Sequence, residues 1–205
     1  MKLRSSLQLP DSAQTSRPWR IHELVEDFQL LDVWALPTPG GPDDFPRLVR
    51  ILAGGDTAET PSALARGLWA IRWKLGEVFG WDEADPDELP DWQMLRDRLP
   101  ADLEEGPTGP QFETLPFEPV YLLEDEWAAE LANKTVHGVM HLSWVPHGHG
   151  RYRGQMSVYV KPNGLFGRAY LAAIDPFRHL VVYPPMLRML ERMWRERSGV
   201  EAAAA

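Results

Sequence analysis

Two segments that alternate between apolar and polar residues flank Pro146–Gly150, and such period-two alternation is typical of a β-strand with one buried face. The apolar positions of both segments share one face: Val136, Gly138, Met140, Leu142, Trp144, Tyr152, Gly154, Met156, Val158 and Val160. The opposite face carries polar side chains that include His137, His141, Ser143, Gln155 and Ser157. Gly148 and Gly150 permit the positive φ angles of a tight turn. The pattern therefore predicts a β-hairpin with one apolar and one solvent-exposed face.

A turn centred on Gly148 predicts the register of this hairpin. Trp144 would then lie opposite Tyr152, and Met140 opposite Met156. A slip of one residue would exchange the two faces, so the burial of one face should specify the register strongly. We expect other elements to cover the apolar face.

The remaining pattern predicts two further strands and five helices. Strands are expected at 28–36 and 117–123, and helices at 43–53, 60–80, 126–132, 165–174 and 186–197. The helix at 60–80 has the clearest apolar stripe, which Trp69 and Trp73 broaden. Asp175 and Pro176 are expected to interrupt the helix at 165–174, because proline breaks helix interiors. The acidic, proline-rich stretch 81–117 is predicted to be irregular, with one helical turn near 92–98.

Composition narrows the class of protein. The chain has 205 residues, which suits one domain at 17–198, between a flexible arm at 1–16 and a disordered tail at 199–205. The formal charge of −9 disfavours nucleic acid as a partner, since binding to the phosphate backbone requires a basic surface. No apolar run is long enough for a transmembrane helix. Cysteine is absent, as expected for a cytoplasmic protein.

Several motifs resemble a known family of bacterial proteins, the domain-of-unknown-function family 2867. They are WRIHELVEDFQLLDVWALPTPGGPDDFPRLVR, IRWKLGEVFGWD, LRDRLP, DEWAAELANKTVHGVMHLSWV and KPNGLFGRAYLAAIDPFRHLVVYP. The resemblance covers roughly residues 16–195, and this family is grouped with the START-like (SRPBCC) superfamily. The resemblance implies an α+β, helix-grip fold in which a curved antiparallel sheet wraps around a long C-terminal helix.

A helix-grip fold implies a cavity between the sheet and the last helix. Relatives carry lipids, sterols, polyketides or plant hormones, and a few are cyclases, dehydratases or hydrolases. Large apolar pockets with a few polar groups are the usual ligand sites, and methionine adapts to irregular ligands. The candidate ligand-binding residues are Trp69, Trp73, Met140, Leu142, Trp144, Tyr152, Met156 and Tyr170. A solid core is an equally good interpretation of the same residues.

Catalytic candidates are few. Tyr170 and His179 lie in the C-terminal segment, where relatives present groups to the cavity, and either could act as an acid or a base. The alternative is that His179 forms only local hydrogen bonds. His137 and His141 would lie about 13 Å apart on one strand, so they do not form a metal-binding pair by themselves. We expect no metal site and no cofactor.

Three functional hypotheses remain open. The leading one is a helix-grip protein that binds an apolar or aromatic small molecule. The second is an enzyme of the cyclase or dehydratase type on the same fold, which would position a flexible substrate for a few polar groups. The third is an interaction domain without a ligand.

Overall fold

The computed structural model describes residues 7–54, 93–112, 115–133 and 135–204, which form an α+β structure on a five-stranded antiparallel sheet. The strands are β1 (Gln29–Ala35), β2 (Glu118–Leu122), β3 (Glu126–Ala132), β4 (Val136–Pro146) and β5 (Tyr152–Pro162), in the order β1-β5-β4-β3-β2. The helices are α1 (Ser12–Thr15), α2 (Ile21–Leu24), α3 (Phe45–Ala53), α4 (Ala101–Glu104), α5 (Gly164–Phe177) and α6 (Tyr183–Ala204). Short 3₁₀ helices occupy Pro42–Asp44 and Leu95–Arg98, and a π-helical segment, Arg178–Val182, joins α5 to α6. The predicted α+β class is confirmed, whereas the helix-grip assignment stays a prediction.

The predicted hairpin is present as β4 and β5, but its register differs by two residues from the prediction. Trp144 pairs with Gly154 rather than Tyr152, and Met140 pairs with Val158 rather than Met156. The turn contains three consecutive residues with positive φ, Gly148 at 76°, His149 at 51° and Gly150 at 70°, so its centre lies one residue later than expected. A shift of two residues leaves every side chain on its predicted face.

The prediction of a helix at 126–132 is wrong, because this segment forms strand β3. Glu126, Trp127 and Ala128 pair with Ser143, Leu142 and His141 on β4. The acidic and alanine residues in this segment favour helices intrinsically, but pairing with two neighbouring strands overrides that preference.

The apolar face of the sheet is covered by α3 and α6. The buried side chains between these layers include Trp34, Phe45, Leu48, Trp127, Leu142, Trp144, Met156, Leu187, Leu190 and Trp194. Arg47 on α3 lies 4.1 Å from the Trp194 ring centroid and donates a hydrogen bond to the Trp194 carbonyl, which fixes α3 against α6. Gly154 is required beneath this layer, since a Cβ there would lie 2.5 Å from Leu48 Cδ2.

The opposite face of the sheet, predicted to be exposed to solvent, is also buried. His137, His141, Ser143 and Ser157 are each at most 1 % exposed. Residues 14–28 and 95–103 cover this face, and the apolar contacts include Trp19, Ile21, Leu24, Leu95, Leu103, Tyr121, Val139 and Tyr159. The polar alternation was therefore a correct indication of strands but an incorrect indication of solvent exposure.

Residues 7–16, predicted to belong to a flexible arm, are packed on the sheet instead. The backbone of Leu7 and Leu9 bonds to Ala35 and Val33 along the outer edge of β1. Gln14 on α1 is fully buried. These contacts fix the segment, which the sequence pattern does not reveal because it is short and mostly polar.

The C-terminal helices form one continuous helical path, which corrects one expectation. Pro176 lies inside α5 and does not end it, and the π-helical turns that follow lead directly into α6. The backbone is helical to Ala204, and the disordered tail at 199–205 stays a prediction. The predicted buried residues of α6 are confirmed for Leu187, Leu190 and Trp194. The predicted helix at 60–80, with Trp69 and Trp73, lies outside the described residues.

Candidate functional site

A pocket of about 190 Å³ lies between the edge of the sheet and the first turns of α6. One wall is formed by Leu7, whose carbonyl bonds to Ala35 of β1, and by Pro37 just beyond that strand. The other wall is formed by Pro184 and Leu187 of α6. Four apolar residues therefore form the walls, and their positions depend on how residues 7–9 and α6 are held against β1.

Among the described residues, two charged ones also line this pocket, Arg188 and Glu191. Glu191 accepts a 2.6 Å hydrogen bond from Arg195, one turn further along α6, so a neighbouring cation already compensates its charge. Arg188 is exposed and brings a guanidinium, which suits a carboxylate. The pocket therefore combines an apolar body with a positive group at its edge.

A cluster of charged and polar groups anchors the start of α6 beside this pocket. Asp32 of β1 is only 2 % exposed. Its Oδ2 accepts a 2.9 Å hydrogen bond from the Tyr183 hydroxyl and lies 3.2 Å from Arg178 Nη1. Its Oδ1 lies 3.0 Å from His179 Nε2. We call these four residues the junction cluster, because they join β1 to the π-helical segment and to α6.

Both ring nitrogens of His179 face protein partners. Nδ1 lies 2.8 Å from the carbonyl oxygen of Asp175, so it must carry a proton. Nε2 lies between Asp32 Oδ1 and the side-chain amide of Gln8, at 3.0 and 3.2 Å. No ring nitrogen is directed to a substrate position, which favours an anchoring role over acid–base catalysis. The junction cluster and the pocket are neighbours along the chain, since Leu7 precedes Gln8 and Pro184 follows Tyr183.

The predicted ligand-binding residues are only partly brought together. Leu142, Trp144 and Met156 lie together in the buried layer under α3 and α6, and Met140 and Tyr152 pack against its edge. They lie among large side chains such as Trp34 and Trp194, as in a solid core. None of them is among the six described residues that line the 190 Å³ pocket.

Tyr170 lies apart from that group. It is buried on α5, and burial raises its pKa to about 12, so it stays protonated near neutral pH. Trp69 and Trp73 lie outside the described residues.

A second polar network is buried on the other face of the sheet. Gln14 donates through Nε2 to His141 Nδ1 and to the Tyr159 hydroxyl, both at 3.0 Å, and accepts from Gln155 at 2.8 Å. His141 Nε2 lies 3.0 Å from Glu126 Oε2. This carboxylate also accepts from the backbone N–H of Arg20. A neutral His141 with its proton on Nε2 satisfies every one of these contacts.

A parallel arrangement surrounds Glu130. Its carboxylate lies 2.7 Å from His137 Nε2 and accepts from the backbone N–H groups of Leu95 and Arg96 at 2.8 and 3.2 Å. Each buried glutamate therefore connects one covering segment to a histidine of β4. This explains why the histidine-rich face of the hairpin is covered.

The pKa shifts of Glu126 and His141 predict that the protein loses stability in acid. Burial lowers the pKa of His141 below its ordinary 6.5, despite the attraction of Glu126. Burial would raise the pKa of Glu126, but hydrogen bonds from His141, Arg20 and Tyr121 outweigh it and lower the pKa below 4.5. The unfolded chain therefore takes up protons first, and the free energy of unfolding should fall from about pH 6.5 downwards and further below about pH 4.5.

Urea unfolding at pH 8, 6, 5 and 4 measures this dependence. His141→Gln removes the titrating imidazole and should flatten the slope between pH 7 and 5. His149→Asn, in the exposed turn, is the matched control and should keep the slope of the unchanged protein. An unaltered slope in His141→Gln would assign the acid sensitivity to other groups.

The described residues contain neither a metal-binding cluster nor a membrane-spanning helix. No group of three or more His, Cys, Asp or Glu side chains there is arranged to hold a metal ion. In that same part of the chain, no helix has both the length and the hydropathy of a membrane span.

Comparison with known families adds one match. The family model described as "Protein of unknown function (DUF2867)" matches residues 24–185. No curated protein and no solved structure matches the chain. The matched region includes all five strands, α5 and the junction cluster, whereas Leu7, Leu187, Arg188 and Glu191 of the pocket lie outside it.

Proposed function

The chain belongs to the DUF2867 family, whose description assigns no activity, and from the geometry of the pocket we propose that it binds a small apolar or aromatic molecule with an anionic or neutral polar group. The observation that supports this proposal is the combination of apolar walls with Arg188 in one pocket of about 190 Å³. Engineered apolar cavities of about 150 Å³ bind benzene, so a molecule with one ring and a short substituent would fit.

The charges around the pocket favour an anion over a cation. Arg195 already bonds to Glu191, and a ligand ammonium group would have to compete with it. Arg188 offers a guanidinium whose planar donors match a carboxylate. The ligand body would contact Leu7, Pro37 and Leu187, which are rigid or well packed.

Membership of the START-like superfamily and a cyclase or dehydratase activity are two further proposals. An antiparallel sheet with a long C-terminal helix packed on one face supports the first. The engagement of both His179 nitrogens weighs against the second. A carrier role is therefore the leading interpretation. The measurement that it calls for is which molecule binds in the pocket.

Benzoate and toluene form a matched pair of probes, because they share the ring and differ in the carboxylate. Saturation-transfer NMR should show weak binding of both to the purified protein. Leu7→Trp should abolish both signals by filling the pocket. Arg188→Gln should weaken benzoate about 5-fold, as for a partly exposed charge pair, and leave toluene unchanged.

Arg192→Gln is the control for the charge change, since Arg192 is also exposed on α6 but does not line the pocket. Native mass spectrometry of the gently purified protein, with a denatured extract in parallel, tests for a co-purifying molecule. If neither probe binds, or if Leu7→Trp leaves binding unchanged, the proposal fails.

A further inference from the structure

Helix α5 carries large apolar side chains that remain exposed. Leu165 is 82 % exposed, Phe166 is 60 % exposed, and Leu180, in the π-helical turns that follow, is 73 % exposed. The smaller exposed residues of α5 are also mostly apolar: Ala169, Ala172, Ala173 and Pro176. Contiguous exposed apolar surface of this kind usually marks an interaction site.

These residues form one face of the helix. At about 100° per residue, Leu165, Phe166 and the four smaller residues of α5 fall within an arc of about 120°. The buried side of α5 is fixed by Gly167 and Tyr170. A Cβ at Gly167 would lie 2.5 Å from the carbonyl oxygen of Thr135, so the helix approaches the end of the hairpin closely. The apolar face is therefore directed away from the sheet.

We propose that this face binds the same face of a second copy of the chain, with the two α5 helices antiparallel about a two-fold axis near Ala172. The charged residues beside this face favour such a pair. Arg168 and Asp175 lie on the same flank of the apolar arc, about 20° apart by the helical repeat. In an antiparallel two-fold pair, like flanks face each other, so Arg168 of each copy faces Asp175 of the other.

Both groups are placed to form these ion pairs. Arg168 is exposed, and the side chain of Asp175 is one-third exposed while it pairs with Arg178 of its own chain. The antiparallel arrangement also opposes the two helix dipoles favourably, which a parallel pair would not. The alanines at the centre let the two backbones approach closely.

The contact is small, so the dimer should be weak. Fourteen residues of helix span about 21 Å, and a single helix pair buries less than the roughly 1,200 Å² of a stable complex. We expect association in the micromolar range, visible at about 100 µM and lost near 1 µM.

Sedimentation velocity from 1 to 200 µM tests this inference on the full chain. The weight-average mass should rise toward that of a dimer in the unchanged protein. Leu165→Glu and Arg168→Glu should each weaken association by at least 10-fold, while circular dichroism and the thermal midpoint stay unchanged. Arg151→Glu, which makes the same charge change in the exposed hairpin turn, should not affect association.

Two results would overturn the inference. One is a monomer over the whole concentration range, including the case in which Leu165→Glu lowers the thermal midpoint because the face is covered within the same molecule. The other is a dimer that survives both α5 variants, which would place the interface elsewhere. Ligand binding in the pocket is measured separately and does not affect either outcome.

Discussion

Replacing Glu130 by Ala is expected to lower the free energy of unfolding by about 3–5 kcal/mol, the usual effect of removing one partner from a buried charged network. Glu130 is fully buried and accepts three hydrogen bonds. Without it, His137 and the backbone N–H groups of Leu95 and Arg96 lose their shared acceptor inside the covered face. Urea unfolding followed by tryptophan fluorescence measures the change.

Local effects should accompany the global loss. Hydrogen exchange at Leu95 and Arg96 should accelerate before the sheet itself opens, because their amides are held by the side chain of Glu130. Glu130→Gln keeps one carbonyl acceptor and should cost about 1–3 kcal/mol. Glu118→Ala, an exposed position on β2, is the control and should change little. A cost below about 1 kcal/mol for Glu130→Ala would contradict this account.

Asp32→Ala is expected to have an effect of similar size, about 3–5 kcal/mol, on the other face of the sheet. The substitution leaves Tyr183, Arg178 and His179 facing an uncharged space. Because these three residues belong to the π-helical segment and the start of α6, hydrogen exchange should increase there first. Chemical denaturation with hydrogen-exchange mass spectrometry measures both effects.

Asp27 provides a matched comparison for Asp32. It also pairs with two cations, Lys161 at 2.7 Å and Arg98 at 3.1 Å, but its side chain is 42 % exposed. Asp27→Ala should therefore cost at most about 1 kcal/mol. Equal costs for the two variants would mean that burial does not determine the strength of these pairs.

The strands could be predicted from the sequence where apolar and polar residues alternate. Whether their polar face is buried or exposed to solvent could not. His137 and His141 indicated a polar face correctly, but their partners, Glu130 and Glu126, are on β3, which the residue types suggested was a helix. Because the segment 126–132 was predicted to be a helix, no neighbouring strand was expected to supply carboxylates. Solvent was then the simplest partner to expect for the two histidines. Glu126, Ala128 and Glu130 do alternate with Trp127, Ala129 and Leu131, and this period was the missed signal.

The candidate site was less predictable than the fold. A single carboxylate inside the apolar strand LLDVWA was an available sign that Asp32 meets a buried donor. Its partners come from about 150 residues later in the chain, a distance over which periodicity carries no information. Leu7 and Arg188 could not be assigned to one pocket from sequence, because their proximity depends on the edge pairing of residues 7–9 and on the path of α6.

The pairing of residues 7–9 with β1 also bears on solubility. Open sheet edges expose backbone donors and acceptors that recruit strands from other molecules and start aggregation. Here the chain covers the β1 edge with its own Leu7 and Leu9, and at the opposite edge β2 has only five residues and includes Pro119. Proteolytic trimming of the first ten residues would therefore uncover one edge and make the protein prone to form intermolecular sheets.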